Sequence, residues 1–246
     1  MKTAGIVGGL GPESTIDYYR SIIALYREKM GDGYPPLVIN SLDVDKGLRL
    51  LGANDLQQLV EYLARAIRRL AAAGAEFGFI AANTPHIVFD KVQLRSPIPL
   101  ISIVEATCAE VRRRGLQSVS LLGTRFTMSG RFYPEVFEKY GVRLAVPSAE
   151  EQADIHDKYV NQLIKGIFLP ETRERLQEII TAQVEREHVE GVVLAGTELP
   201  LILKAETIAV TSAHLLTSFS WGLPNSARSR ILAASSYVSI SGRPSA

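Results

Sequence analysis

Several things are scarce in this chain, and each scarcity excludes a class of protein. One cysteine in 246 residues, Cys108, leaves no internal disulfide and no cysteine-rich zinc site. Charge of one sign is not in excess. The 27 Lys and Arg against 26 Asp and Glu give a net charge of +1, which offers no general attraction for nucleic acid or an anionic membrane. Long apolar runs are missing, and none approaches the ~18 residues needed to span a bilayer. The N-terminus passes from Lys2 straight into Ala4-Gly5-Ile6-Val7-Gly8, with no apolar signal core. The four histidines, His86, His156, His188 and His214, are scattered, with no H-E-x-x-H and no clustered acidic partners, so no metal site is expected. Nucleotide motifs are missing too. Gly8-Gly9-Leu10-Gly11-Pro12-Glu13 is not G-x-G-x-x-G, and no glycine loop ends in Gly-Lys-Ser/Thr.

What is present is an ordinary globular composition, 46% hydrophobic and 22% charged, long enough for one large domain or two small ones. A cytoplasmic enzyme or small-molecule binder is the expectation. Residues 4–7 read as a strand ending in glycines, followed by Pro12 and a helical apolar pattern through Ile16, Tyr19, Ile22, Ile23 and Tyr26, closed by Gly31. Leu37-Val38-Ile39 reads as a second strand. Asn54 is placed to cap a helix with an apolar face of Leu56, Leu59, Val60, Leu63, Ile67 and Leu70, stopped by Gly74. Phe77 to Ala82 is a third strand. Pro97 to Ile103 contains a fourth, leading into a helix through Ala106, Ala109 and Val111 that Gly115 stops. Strands alternating with helices predict an α/β fold with a parallel sheet. Cys108, beside Ala106 and Ala109, reads as a packed core cysteine.

The pattern then restarts. Val119-Ser120-Leu121-Leu122-Gly123 repeats Gly5-Ile6-Val7-Gly8 in pattern at an offset of 123 minus 8, or 115. Val192-Val193-Leu194-Ala195-Gly196-Thr197-Glu198 parallels Gly78-Phe79-Ile80-Ala81-Ala82-Asn83-Thr84 at 196 minus 82, or 114. Two segments recurring at nearly one offset indicate an internal duplication. The stretch 207–246 is different: it holds no Asp or Glu and ten Ser, with weak candidates for a strand at Thr207–Val210 and a helix at Ala213–Phe219.

In parallel α/β sheets ligands bind beyond the carboxyl ends of the strands. The loops there, 8–13, 40–46, 82–86, 123–129 and 196–199, are rich in Gly, Thr, Ser and Asn. Their N–H groups and hydroxyls suit a carboxylate or phosphate. Two related halves presenting Ala82-Asn83-Thr84 and Gly196-Thr197-Glu198 would suit a reaction that needs groups on both faces of a flat intermediate. His86 lies in such a loop, with a structural hydrogen-bonding role equally open.

Four stretches taken together, Gly5 to Thr15, Ala81-Ala82-Asn83-Thr84-Pro85-His86, Leu121 to Met128 and Leu194 to Pro200, resemble the aspartate/glutamate racemase family, the pyridoxal-phosphate-independent amino-acid racemases. The resemblance implies two pseudo-symmetric three-layer domains with mostly parallel four-stranded sheets and an active-site cleft between them. It assigns residues 1–100 and 206–246 to the first domain and 101–205 to the second. It also implies no cofactor, a homodimer, and a small amino acid or dicarboxylate as partner, with no nucleic acid and no membrane. The implied chemistry is two-base removal and return of the Cα proton by cysteines, or a threonine and a cysteine, at two strand ends, the carbanion being held by donors around its carboxylate.

Those two acid/base positions are Ala82 and Gly196 here, and neither side chain has a labile proton. The residues that the resemblance places around a substrate remain: Asn83, Thr84, Thr124, Thr127, Thr197 and Glu198, with Lys165 on a lysine position and Lys46 in place of a strand-end basic residue. The family's last strand and its downstream histidine are not recognisable beyond Thr211-Ser212-Ala213-His214, so the tail after about Ala205 reads as altered, as by a frameshift. Three readings stay open: a racemase of weakened or lost activity, a non-catalytic carboxylate binder on the same scaffold, and another isomerase or lyase of that scaffold.

Overall fold

A computed structural model describes residues 1–203 and the backbone of Val210 and Thr211. The strand, helix and tail readings between 207 and 246 otherwise lie outside the described residues. The chain divides into two compact units, one running from Met1 to Ala106 and the other beginning at Thr107.

The first unit runs β1 (Ala4–Gly8), α1 (Pro12–Met30), β2 (Leu37–Ser41), α2 (Val44–Gly52), α3 (Leu56–Ala72), β3 (Phe77–Ile80), a 3-10 turn (Thr84–Val88), α4 (Phe89–Gln93), β4 (Leu100–Ile101) and the start of α5 (Ile103–Arg113). Its four strands are parallel in the order β2-β1-β3-β4. β1 is central and wholly buried, so alternation gives way to a continuous apolar run, as a strand covered on both faces requires. α3 lays Leu59, Leu63, Ile67 and Leu70 into the core at the predicted spacing.

Two local expectations are corrected. Asp55, not Asn54, caps α3, its carboxylate accepting from the Gln58 N–H at 3.0 Å. Asn54 has φ +53°, a left-handed conformation that asparagine tolerates, and makes the tight joint from α2. In α1 the inward face is Ser14, Tyr18, Ile22 and Tyr26, a strict four-residue row, whereas Ile16 and Tyr19 are 45% and 44% exposed. The first turn of helix α2 falls within the stretch 40–46 that reads as a loop, its start set by Asp43 accepting from the Lys46 N–H at 3.2 Å.

The second unit continues with β5 (Ser118–Gly123), α6 (Arg125–Met128), α7 (Phe132–Lys139), β6 (Arg143–Ala145), α8 (Ala149–Asn161), a 3-10 turn (Leu163–Lys165), α9 (Pro170–Glu187), β7 (Gly191–Ala195), α10 (Leu199–Leu203) and β8 (Val210–Thr211). The sheet order is β6-β5-β7-β8, again all parallel. Numbered within each unit, the two orders are identical, 2-1-3-4. The fold is thus α/β, with a parallel sheet in each half. Cys108 is buried in α5, as its neighbours predict. Among the described residues no helix is long and apolar enough to cross a membrane.

Candidate functional site

The first strand-end begins where β1 runs out. Gly9 has φ +78°, and a Cβ there would overlap the Leu42 carbonyl and the Ser41 hydroxyl, so the turn is closed to any other residue. The Gly9 N–H donates to Thr15 Oγ1 at 2.9 Å, and that hydroxyl donates to the Gly11 carbonyl at 3.1 Å. Thr15 therefore lies across Gly8, where a Cβ would come within 2.5 Å of its methyl.

On the neighbouring strand, the Ala81 N–H reaches the Val7 carbonyl at 2.9 Å and prolongs the ladder by one step. Ala82 and Asn83 follow, both buried, and then the half-buried Thr84. His86 fixes this loop. Its Nε2 accepts from the Ile103 N–H at 3.1 Å, so Nδ1 carries the proton and donates to the Ala82 carbonyl at 3.0 Å. The ring is stacked on Phe89 with centroids 5.0 Å apart. Burial pushes its pKa down from 6.5 to about 4, so the imidazole is neutral at physiological pH and serves as a clamp. Lys46 stands on the β2 side of this edge, exposed in the first turn of α2, with its ammonium 4.9 Å from the Tyr62 ring centre.

The second unit repeats the device. β5 ends at Gly123, and a Cβ there would lie 2.7 Å from the Ala195 carbonyl and 3.1 Å from Thr127. Thr124 caps α6, its Oγ1 accepting from the Thr127 N–H at 3.3 Å, and the two hydroxyls are 3.2 Å apart. Gly123 lies opposite Ala195 in the β5–β7 register, so Gly196 is the first residue beyond it. Val7 lies opposite Ile80 in the first sheet, which puts Ala81 opposite Gly8 and makes Ala82 the first residue beyond. Ala82 and Gly196 are thus equivalent positions in the two halves.

Beyond Gly196, Thr197 Oγ1 donates to Glu198 Oε2 at 3.0 Å, and the Tyr159 hydroxyl, from α8, donates to the same oxygen. All three residues are buried. Burial, reinforced by the Glu198 carboxylate, pushes the Tyr159 phenol well above its ordinary range, so it stays a proton donor. Lys165 ends the 3-10 turn after α8 and is exposed; Gly166, φ +72°, closes that turn. Tyr159 is not among the residues singled out from the sequence, and Gly8 and Thr15 appear there only within a strand-end stretch, with no role of their own. Tyr159 sits at four-residue spacing between Ile155 and Leu163 and reads there as plain core.

The model of the family described as Asp/Glu/Hydantoin racemase matches residues 7–217. The chain belongs to that family. An aspartate racemase homologue from Pyrococcus horikoshii OT3 is 36% identical in its crystal structure, with a TM-score of 0.73 over 87% of this chain and 95% of that one. The broad specificity amino-acid racemase RacX of Bacillus subtilis (strain 168) is 25% identical over 209 residues, covering 81% of this chain and 86% of the relative. Picrophilus torridus aspartate racemase shares the fold, with 22% identity and a TM-score of 0.72 over 89% of this chain and 92% of that one. Within this racemase-family chain, the Thr124–Thr127 pair and the Thr197–Glu198–Tyr159 set stand at one edge of the second sheet. Asn83 and Thr84 stand at the corresponding edge of the first.

Proposed function

We propose that this chain is a racemase-family protein that binds a small amino acid or dicarboxylate through Asn83, Thr84, Thr124, Thr127, Thr197 and Glu198, with Lys46 and Lys165 as supporting cations. We propose further that its cofactor-independent two-base inversion at Cα of aspartate- or glutamate-like acids is weakened or lost. The observation that carries this reading is the pair of equivalent strand-end positions, Ala82 and Gly196, neither of which can give or take a proton. A positioned acid or base contributes roughly 10²–10⁴-fold, so the loss of two predicts turnover at or near background. The hydroxyl pair and the buried carboxylate keep the polar groups that an amino acid's carboxylate and ammonium require. The similarity to a broad specificity amino-acid racemase supports an amino acid as the ligand. The family resemblance supports a homodimer in the cytoplasm.

A non-catalytic binder is the second reading, favoured by the Tyr159 ring standing over Gly196. One experiment separates them. L-aspartate and L-glutamate are incubated with the protein in D₂O, and the α-proton signal is followed by NMR. Weakened racemisation gives loss of signal above a protein-free control, whereas the binder gives none although calorimetry detects the acid. Absence of both binding and exchange would remove the carboxylate-site reading altogether.

A further inference from the structure

The place a side chain at 196 would need is already taken. A Cβ built on Gly196 lies 2.5 Å from Tyr159 Cε2, 3.0 Å from Cζ and 3.1 Å from the hydroxyl oxygen. Real Cβ atoms essentially never come as close as the 2.5 Å to Cε2, so any residue larger than glycine has to displace the ring. The ring cannot yield easily. It is 5% exposed and packed in one cluster with Ile155, Leu163, Leu194 and Leu199, and its hydroxyl is held by Glu198. Close-packed interiors resist displacement of this kind.

We propose that Tyr159 and Gly196 are a complementary pair, in which the tyrosine fills the volume of the missing side chain and makes Tyr159 the residue that decides what the β7 strand end can carry. A thiol at 196 is excluded while the ring is there. The hydroxyls nearest Gly196 along the chain and in space are then those of Thr197 and Tyr159, both directed at Glu198 Oε2. The steric pairing stands on geometry alone, and its bearing on activity rests on the racemase-family reading above.

The test is a cycle of full-length variants read by thermal unfolding. Gly196→Cys alone lowers Tm by on the order of 5 °C, as overpacking of a core does. Tyr159→Leu removes the ring tip and keeps an apolar residue, and in that background Gly196→Cys costs little or nothing. Tyr159→Phe keeps Cε2 and Cζ and loses only the hydroxyl, so there the full penalty of Gly196→Cys persists. An equal penalty in all three backgrounds would overturn the pairing, as would relief by Tyr159→Phe. A second readout tests the consequence. Ala82→Cys with Gly196→Cys gives less α-proton exchange in D₂O than the same double variant carrying Tyr159→Leu. If the thermal cycle behaves as stated and neither multiple variant exchanges, the pairing holds and the racemase-type reading of the site fails.

Discussion

His86 ties its own loop to the start of α5: the ring donates to the Ala82 carbonyl and accepts from the Ile103 N–H, while the residue's backbone N–H donates to the Asn83 carbonyl at 2.9 Å. The ring has to be neutral to do this, because Nε2 must keep a lone pair for the Ile103 N–H. Its folded pKa of about 4 lies below the ordinary 6.5, so between those values the unfolded chain binds the proton more readily. The contribution is therefore complete above about pH 6.5 and is lost as pH falls towards 4, by about 3 kcal/mol at pH 4. Urea unfolding from pH 7.5 down to 4 should show that slope. His86→Leu should start from a lower plateau and lose most of the slope; an unchanged slope would show that another group titrates. At this scale, sequence reading shows plainly what is missing at Ala82 and Gly196, because a labile proton is a property of the residue itself. It does not show what replaces the missing side chain. Tyr159 lies 196 minus 159, or 37, residues away on a different element, and the contact exists only after α8 has packed against the sheet.

Elements with long, regular apolar rows were legible, and those set by local polar contacts were not. α3 announces itself through seven buried positions at helical spacing, whereas α2 is short, interrupted by Gly47, and depends on Asp43 as its cap. α8 begins on a full capping box: Ser148 Oγ accepts from the Glu151 N–H at 3.3 Å, and the Glu151 carboxylate accepts from the Ser148 N–H at 2.7 Å. Ser148→Ala should cost about 1 kcal/mol in chemical denaturation, and Ser148→Asp should restore most of it. α5 carries a heavier dependence. Glu110 is 2% exposed and accepts from Arg113 Nε and Nη2, both at 2.6 Å, and from Arg114 Nε at 2.7 Å. Arg114 is itself buried, with an 8% exposed side chain, so Glu110→Ala takes the carboxylate from a guanidinium already out of water. The expected loss is about 3 kcal/mol or more, well above that of the Ser148 cap. Equal losses at the two sites would mean that the Glu110 cluster is solvated in solution.

Across the whole molecule the two halves share strand order, strand-end glycines and a threonine laid over each glycine: Thr15 over Gly8 and Thr127 over Gly123. They differ in how the loop after the third strand is held. In the first half that loop hangs on His86; at the 114-residue offset the second half has Pro200, and its loop is held instead by Thr197 and Tyr159 on Glu198. The second half does contain His156, pushed down by burial and by Arg125, but its ring is only partly buried and its contribution is correspondingly smaller. The two halves are therefore expected to differ in acid sensitivity. Hydrogen exchange read by mass spectrometry at pH 7.5 and pH 5, corrected for intrinsic rates, should reveal this. Protection at pH 5 should fall first in β1 and β3, next to the His86 clamp, while β5 and β7 keep theirs, since local opening follows the weakest cooperative unit. His86→Leu should abolish the difference in pH response between the halves. A uniform loss of protection in both sheets would instead mean that the two units open as one, and that the imidazole does not set the acid limit of the first.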